Sequence, residues 1–210
     1  MRYNHNHDPK NGQFTSGGNS GSKNIAAINV EVEDFSVDRK AFESKSFNQK
    51  FKGITNSFSG DLSVAGAAKR CAYNNDGTLN ETIVILRASN GFQVGKDIQL
   101  GWRGGHLDVP VMSNNSLIVV HNHGNNSPFS FEDFTLVNDN PQIKTLIAVG
   151  HKGTVYKLSV GKGKRLDYPT EQEYNRIERD FQRNYNPKTG YLTALEKYTK
   201  QYGWDFSYEE

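Results

Sequence analysis

Residues 116–123 read Ser116-Leu117-Ile118-Val119-Val120-His121-Asn122-His123, and Ser130-Phe131-Glu132-Asp133 follows shortly after. The short apolar, β-branched run predicts a buried strand. It ends in two histidines at i and i+2. Side chains alternate along a strand, so His121 and His123 point to the same face. A Ser-x-x-Asp on the next element returns a carboxylate toward them. Two imidazoles and one carboxylate make three legs of a tetrahedral zinc site and leave the fourth position for water.

Working outward, Thr82–Leu86 reads as a strand after the turn Asn75-Asp76-Gly77, and Phe92–Val94 as its hairpin partner across Ser89-Asn90-Gly91. Residues 95–115 are Gly-rich and irregular. Ser130 begins a short helix through about Val137. Thr145–Val149 and Thr154–Val160 form a second hairpin around Gly150-His151-Lys152-Gly153, which places His151 at an exposed tip. On the N-terminal side, Ile28, Val30 and Val32 alternate with polar residues as a half-exposed strand. Residues 39–52 read as a polar helix. Asp61 is positioned to cap a helix running to about Asn75, with Leu62, Val64, Ala65, Ala68 and Ala72 inward. The expected fold is therefore α+β, an α/β sandwich in which a mixed sheet is flanked by helices.

Three regions follow from the composition. Residues 1–24 are rich in Asn, Gly, Ser, Lys and His and are expected to be a disordered tail. Their His5-Asn6-His7 has no strand to hold it. Residues 25–163 form the core domain. Residues 164–210 are expected to be a helical C-terminal appendage, with helices from Pro169 to about Asn184 and from about Tyr191 to Tyr202.

The chain has 210 residues, 25 basic and 23 acidic, for a formal charge of +2. This balance gives no strong attraction to nucleic acid or to an anionic membrane. No apolar run is long enough to cross a bilayer, and the N-terminus lacks the apolar core of a secretory signal. The expected location from these features is the cytoplasm. The single cysteine, Cys71, excludes an intramolecular disulfide and reads as a buried structural thiol.

Chemistry follows from the ligand set. Zinc held by His121, His123 and Asp133 lowers the pKa of a bound water toward ~7 and polarises a carbonyl oxygen. A carboxylate must take the water proton and pass it to the leaving amine. Glu81, at the start of the Thr82–Leu86 strand, is the best candidate; Glu31 and Glu33 are alternatives on a solvated face. Ser130 is placed to donate to the developing oxyanion. The bland alternatives are a pair of satisfied histidines and a Ser130/Asp133 helix capping box. His106 sits in an irregular loop. The string His121-Asn122-His123 is not the signature of an HNH nuclease, whose named residues lie far apart in sequence.

Glu81, His121-x-His123 and Ser130-x-x-Asp133 together resemble the JAMM (JAB/MPN) metalloprotease family. The match is closest to its RadC-like branch and to related phage and prophage head-morphogenesis domains. Asp76–Glu81, Ser127–Ser130 and Val149–Tyr156 add to the likeness, which covers about residues 61–160. The resemblance implies a JAB/MPN-like (cytidine-deaminase-like) core. It implies zinc on His121, His123 and Asp133, Glu81 as general acid/base and Ser130 as oxyanion helper. It also implies hydrolysis of an amide or isopeptide bond in a protein or peptide, in a phage-associated setting with a phage structural protein as a partner. Two other roles are compatible: a catalytically silent binding or structural module of a phage particle, and a phage-associated toxin effector. One position departs from the family, which usually has proline after the second histidine; here it is Gly124.

Overall fold

The structure is a computed structural model that describes residues 34–54, 63–101, 105, 107–161, 163–166, 170–182 and 187–210. All the described residues lie in one unit, Glu33–Glu210. The expected tail, the strand at residues 28–32, Glu31, Glu33, Asp61, Leu62 and His106 lie outside the described residues.

Among the described residues, six strands form one mixed sheet: β1 Glu81–Arg87, β2 Ile98–Leu100, β3 Leu117–His123, β4 Ile143–Gly150, β5 Val155–Ser159 and β6 Asp205–Glu209. Their order is β2-β1-β3-β4-β5-β6. Only β3 and β4 run parallel; every other pair is antiparallel. The described residues also hold six helices: α1 Arg39–Glu43, α2 Lys45–Gln49, α3 Val64–Tyr73, α4 Phe131–Asp139, α5 Glu171–Gln182 and α6 Pro187–Tyr202. The mixed sheet flanked by helices is thus as expected.

Every residue of β3 is buried, as its apolar run requires of a central strand. Alternation splits the sheet's side chains between two cores. Ile83, Ile85, Leu117 and Val119 face Phe134, Ile177, Phe181, Leu195, Tyr198 and Trp204, which come from α4, α5, α6 and the residue before β6. Val84, Leu86, Ile118 and Val120 face Phe42, Phe47, Ala68, Cys71 and Ala72, which come from α1, α2 and α3. Apolar burial on both faces is the main stabilising term.

Several local expectations need correction. The polar helix at residues 39–52 is two short helices, because Ser44 ends α1 and caps α2, its Oγ accepting from Phe47 N at 3.1 Å. The cap of α3 is Ser63, whose Oγ accepts from Gly66 N at 3.0 Å. Phe92–Val94 is no strand; a bridge at Gln93 touches Leu86, and the partner of β1 is β2, within the stretch read as irregular. His151 is fully buried rather than exposed at a tip. Its Nδ1 lies 2.5 Å from Phe35 O, and its carbonyl accepts from Asp38 N at 2.8 Å, so residues 35–38 cover it. The C-terminal segment carries its two helices, with α6 starting at Pro187 as proline at a first helical position allows. It also carries β6, which pairs with β5 and completes the sheet. Cys71 is buried as expected, with Sγ 3.5 Å from Val120 O.

Candidate metal centre

The site forms where β3 ends and α4 begins. Antiparallel pairing puts Ile83 opposite His121, and Glu81, two residues before Ile83 in β1, points to the same side as Ile83. Glu81, His121 and His123 therefore share one face of adjacent strands. The chain leaves β3, turns through residues 124–129 and enters α4, the crossover to parallel β4.

Asp133 is fixed by the start of α4. Ser130 is the N-cap, and its Oγ accepts from Asp133 N at 3.2 Å. In return Asp133 Oδ2 accepts from Ser130 N at 2.8 Å and from Ser130 Oγ at 3.1 Å. This is a capping box with aspartate in the third position. The carboxylate also gains from the helix N-terminus. The capping box and the candidate ligand set therefore share Asp133, and Ser130 holds its carboxylate in place.

His121 Nε2, His123 Nε2 and an Asp133 oxygen all lie within 4.8 Å of one another. His121 Nε2 is 3.0 Å from His123 Nε2 and 3.3 Å from Asp133 Oδ1; His123 Nε2 is 3.5 Å from Asp133 Oδ2. A tetrahedral zinc with bonds of about 2.0–2.2 Å separates its ligand atoms by about 3.3–3.6 Å. The three residues thus gather two nitrogens and a carboxylate at spacings near these and could hold a metal ion. The tautomer of His123 also fits. Its Nδ1 lies 2.8 Å from the carbonyl of Ser127, which only accepts, so in the neutral ring Nδ1 keeps the hydrogen and Nε2 is the nitrogen free to bind a cation. The donor set of two nitrogens and one oxygen suits zinc, but it does not by itself select that metal.

Electrostatics support a cation. Burial alone lowers the pKa of His123, yet the hydrogen bond and charge of Asp133 and the charge of Glu81 raise it to about 9. Burial pushes Asp133 upward, but the imidazoles of His121 and His123 hold it well below the ordinary carboxylate range. Positive charge is favoured at this point, carried by a proton or by a metal. Glu81 stands at the rim, its Oε1 4.0 Å from His123 Nε2 and its side chain 31% exposed, open to solvent and to a ligand at once.

Gly124 explains the departure from proline. It is buried against the segment leading into Glu81. A Cβ built there would lie 2.4 Å from Thr78 O and 3.3 Å from Leu79 Cα. No side chain fits without moving residues 78–79. Hydrogen bonds do what a proline ring would do for this turn. Asn126 N donates to His123 O at 3.1 Å, Lys152 N donates to Asn126 Oδ1 at 2.7 Å, and Tyr156 OH donates to Asn126 O at 3.0 Å.

Sequence reading missed a buried polar network behind the site. Asn75, Thr82, Asn122 and His151 are all buried and hydrogen-bonded to one another. The available signal was Asn122 itself, an amide inside an otherwise apolar strand. Burial lowers the pKa of His151, so its ring is neutral in this network.

Comparison with protein-family models, curated proteins and solved structures gives no match. Among the described residues, no helix is long and apolar enough to cross a membrane.

Proposed function

We propose that this chain is a zinc-dependent hydrolase of amide or isopeptide bonds, with a JAMM-like arrangement of its site. The observation that carries the reading is the cluster of His121, His123 and Asp133 with Glu81 at its edge. Zinc, when bound, supplies Lewis acidity, lowering the pKa of a ligated water and polarising a substrate carbonyl.

The protein residues divide the remaining work. His121 and His123 hold the cation from a rigid central strand, and Asp133 completes the cluster from α4. Glu81 takes the proton of the attacking water and delivers it to the leaving nitrogen. Ser130 orients Asp133; in the proposal it also serves the oxyanion by turning its hydroxyl away from Asp133 Oδ2. The substrate is a protein or peptide, in a phage- or prophage-associated setting suggested by the sequence likeness.

A second reading is favoured by one observation. Asp133 is already used by its capping box and by the protonated His123, so the cluster is electrostatically satisfied without metal. On that reading the chain is a non-catalytic binding or structural module.

Elemental analysis separates the two. Purified protein should hold one zinc per chain, lost in His121→Ala. A quenched-fluorescent peptide library should be cleaved by wild type and not by zinc-loaded Glu81→Gln. Absence of stoichiometric zinc removes the hydrolase reading.

A further inference from the structure

Asn122 lies between the two histidines, and its side chain leaves the opposite face of β3. The β1–β3 ladder ends at the Ile83↔His121 pair. Past that point the side-chain amide of Asn122 joins the strands. Its Nδ2 donates to Asn80 O at 3.0 Å, and its Oδ1 accepts from Thr82 N at 2.8 Å. These two backbone groups flank Glu81. Asn122 therefore grips the chain on both sides of Glu81, while its own backbone is continuous with both histidine ligands.

The amide has one permitted orientation. Phe35 O can only accept, so His151 carries its hydrogen on Nδ1 and presents Nε2 as an acceptor, 3.2 Å from Asn122 Nδ2. At the other end, Asn75 Nδ2 donates to Asn122 Oδ1 at 2.9 Å. Asn75 Nδ2 also reaches Thr82 Oγ1 at 2.7 Å and Cys71 O at 2.9 Å. Turning the Asn122 amide over would set oxygen against Asn80 O and His151 Nε2, and nitrogen against two donors. Both hydrogens and both lone pairs of the amide are used, with little room for slack in a buried network.

We propose that Asn122 is a positioning residue for Glu81. Its amide, oriented by His151 and Asn75, sets how far the Glu81 carboxylate stands from the ligand cluster. The proposal rests on the reading of Glu81 as the proton carrier, and it adds the element that holds that carrier in place. Misplacement of a reacting group by about 1 Å costs roughly 100-fold in rate.

The test uses zinc-loaded full-length protein as wild type, Asn122→Ala, Asn122→Asp, His151→Leu and His151→Gln. Crystal structures give the distance from the Glu81 carboxylate to zinc, and elemental analysis gives the metal content. Both Asn122 variants should keep their zinc while the carboxylate shifts by about 1 Å or more. On a peptide that wild type cleaves, kcat should fall roughly 100-fold with KM unchanged. Should Asn122→Ala fail to fold, the His151 pair decides. His151→Leu removes the acceptor and should lower kcat, whereas His151→Gln offers an amide oxygen and should restore most of it. Glu81 unmoved in the Asn122 and His151→Leu variants, or activity lost only in step with zinc, overturns the proposal. If wild type cleaves no peptide, the hydrolase reading fails, and the crystallographic position of Glu81 still decides whether Asn122 sets it.

Discussion

His123 carries a proton that a cation has to displace. Its pKa is raised to about 9, above its ordinary 6.5. The stabilisation that this proton gives the metal-free protein is fully present below about pH 6.5 and is lost as pH rises through about 9. Zinc binding has the opposite sign, because it requires the neutral ring. Thermal melts of metal-free protein should therefore fall between pH 6.5 and 9 while zinc affinity rises across the same window. Calorimetry in buffers of different ionisation enthalpy should show about one proton released per zinc at pH 7. Gly124 gives a second expectation at this scale. Gly124→Ala forces Cβ against Thr78 O and should cost about 1–3 kcal/mol in denaturant unfolding. The ligands were legible because period-two alternation places His121 and His123 together without knowledge of the fold. Asn122 and His151 were not, since their partners Asn80, Thr82, Asn75 and Phe35 come from other segments that only folding brings close.

Among the elements, α4 unites two features, a capped start and the carboxylate of the candidate metal site. Ser130→Ala removes the cap and should lower stability by about 1 kcal/mol in denaturant titration. It also removes a hydrogen bond to Asp133, so zinc affinity should drop roughly 10- to 100-fold by competition titration. A Ser130 with no bearing on the metal would show only the first effect. The strands were legible in proportion to their burial. β3 and β4 announce themselves by apolar runs, whereas β2 has three residues and β6 is almost wholly exposed. Edge strands such as these owe their structure to the neighbour they pair with, and no periodicity in Ile98–Leu100 or Asp205–Glu209 reports that neighbour.

For the molecule as a whole, the C-terminal segment belongs to the core. Trp204 is 5% exposed, stacks on Phe134 with ring centroids 4.9 Å apart, and donates from Nε1 to Lys164 O at 2.9 Å. Trp204→Ala should cost about 3–5 kcal/mol of global stability, measured by urea unfolding. A segment that merely decorated the sheet would leave the main transition unchanged. The amphipathic helices were visible in the sequence, but their aromatic residues meet α4 only through tertiary packing. The layout also bears on how an ion comes and goes. The three candidate ligands are set by a ladder, a capping box and the carbonyl of Ser127, none of which needs an ion to exist. Small zinc domains unfold when stripped by a chelator. This chain should instead surrender and regain its ion with unchanged far-ultraviolet circular dichroism, behaving as a socket rather than as a rivet.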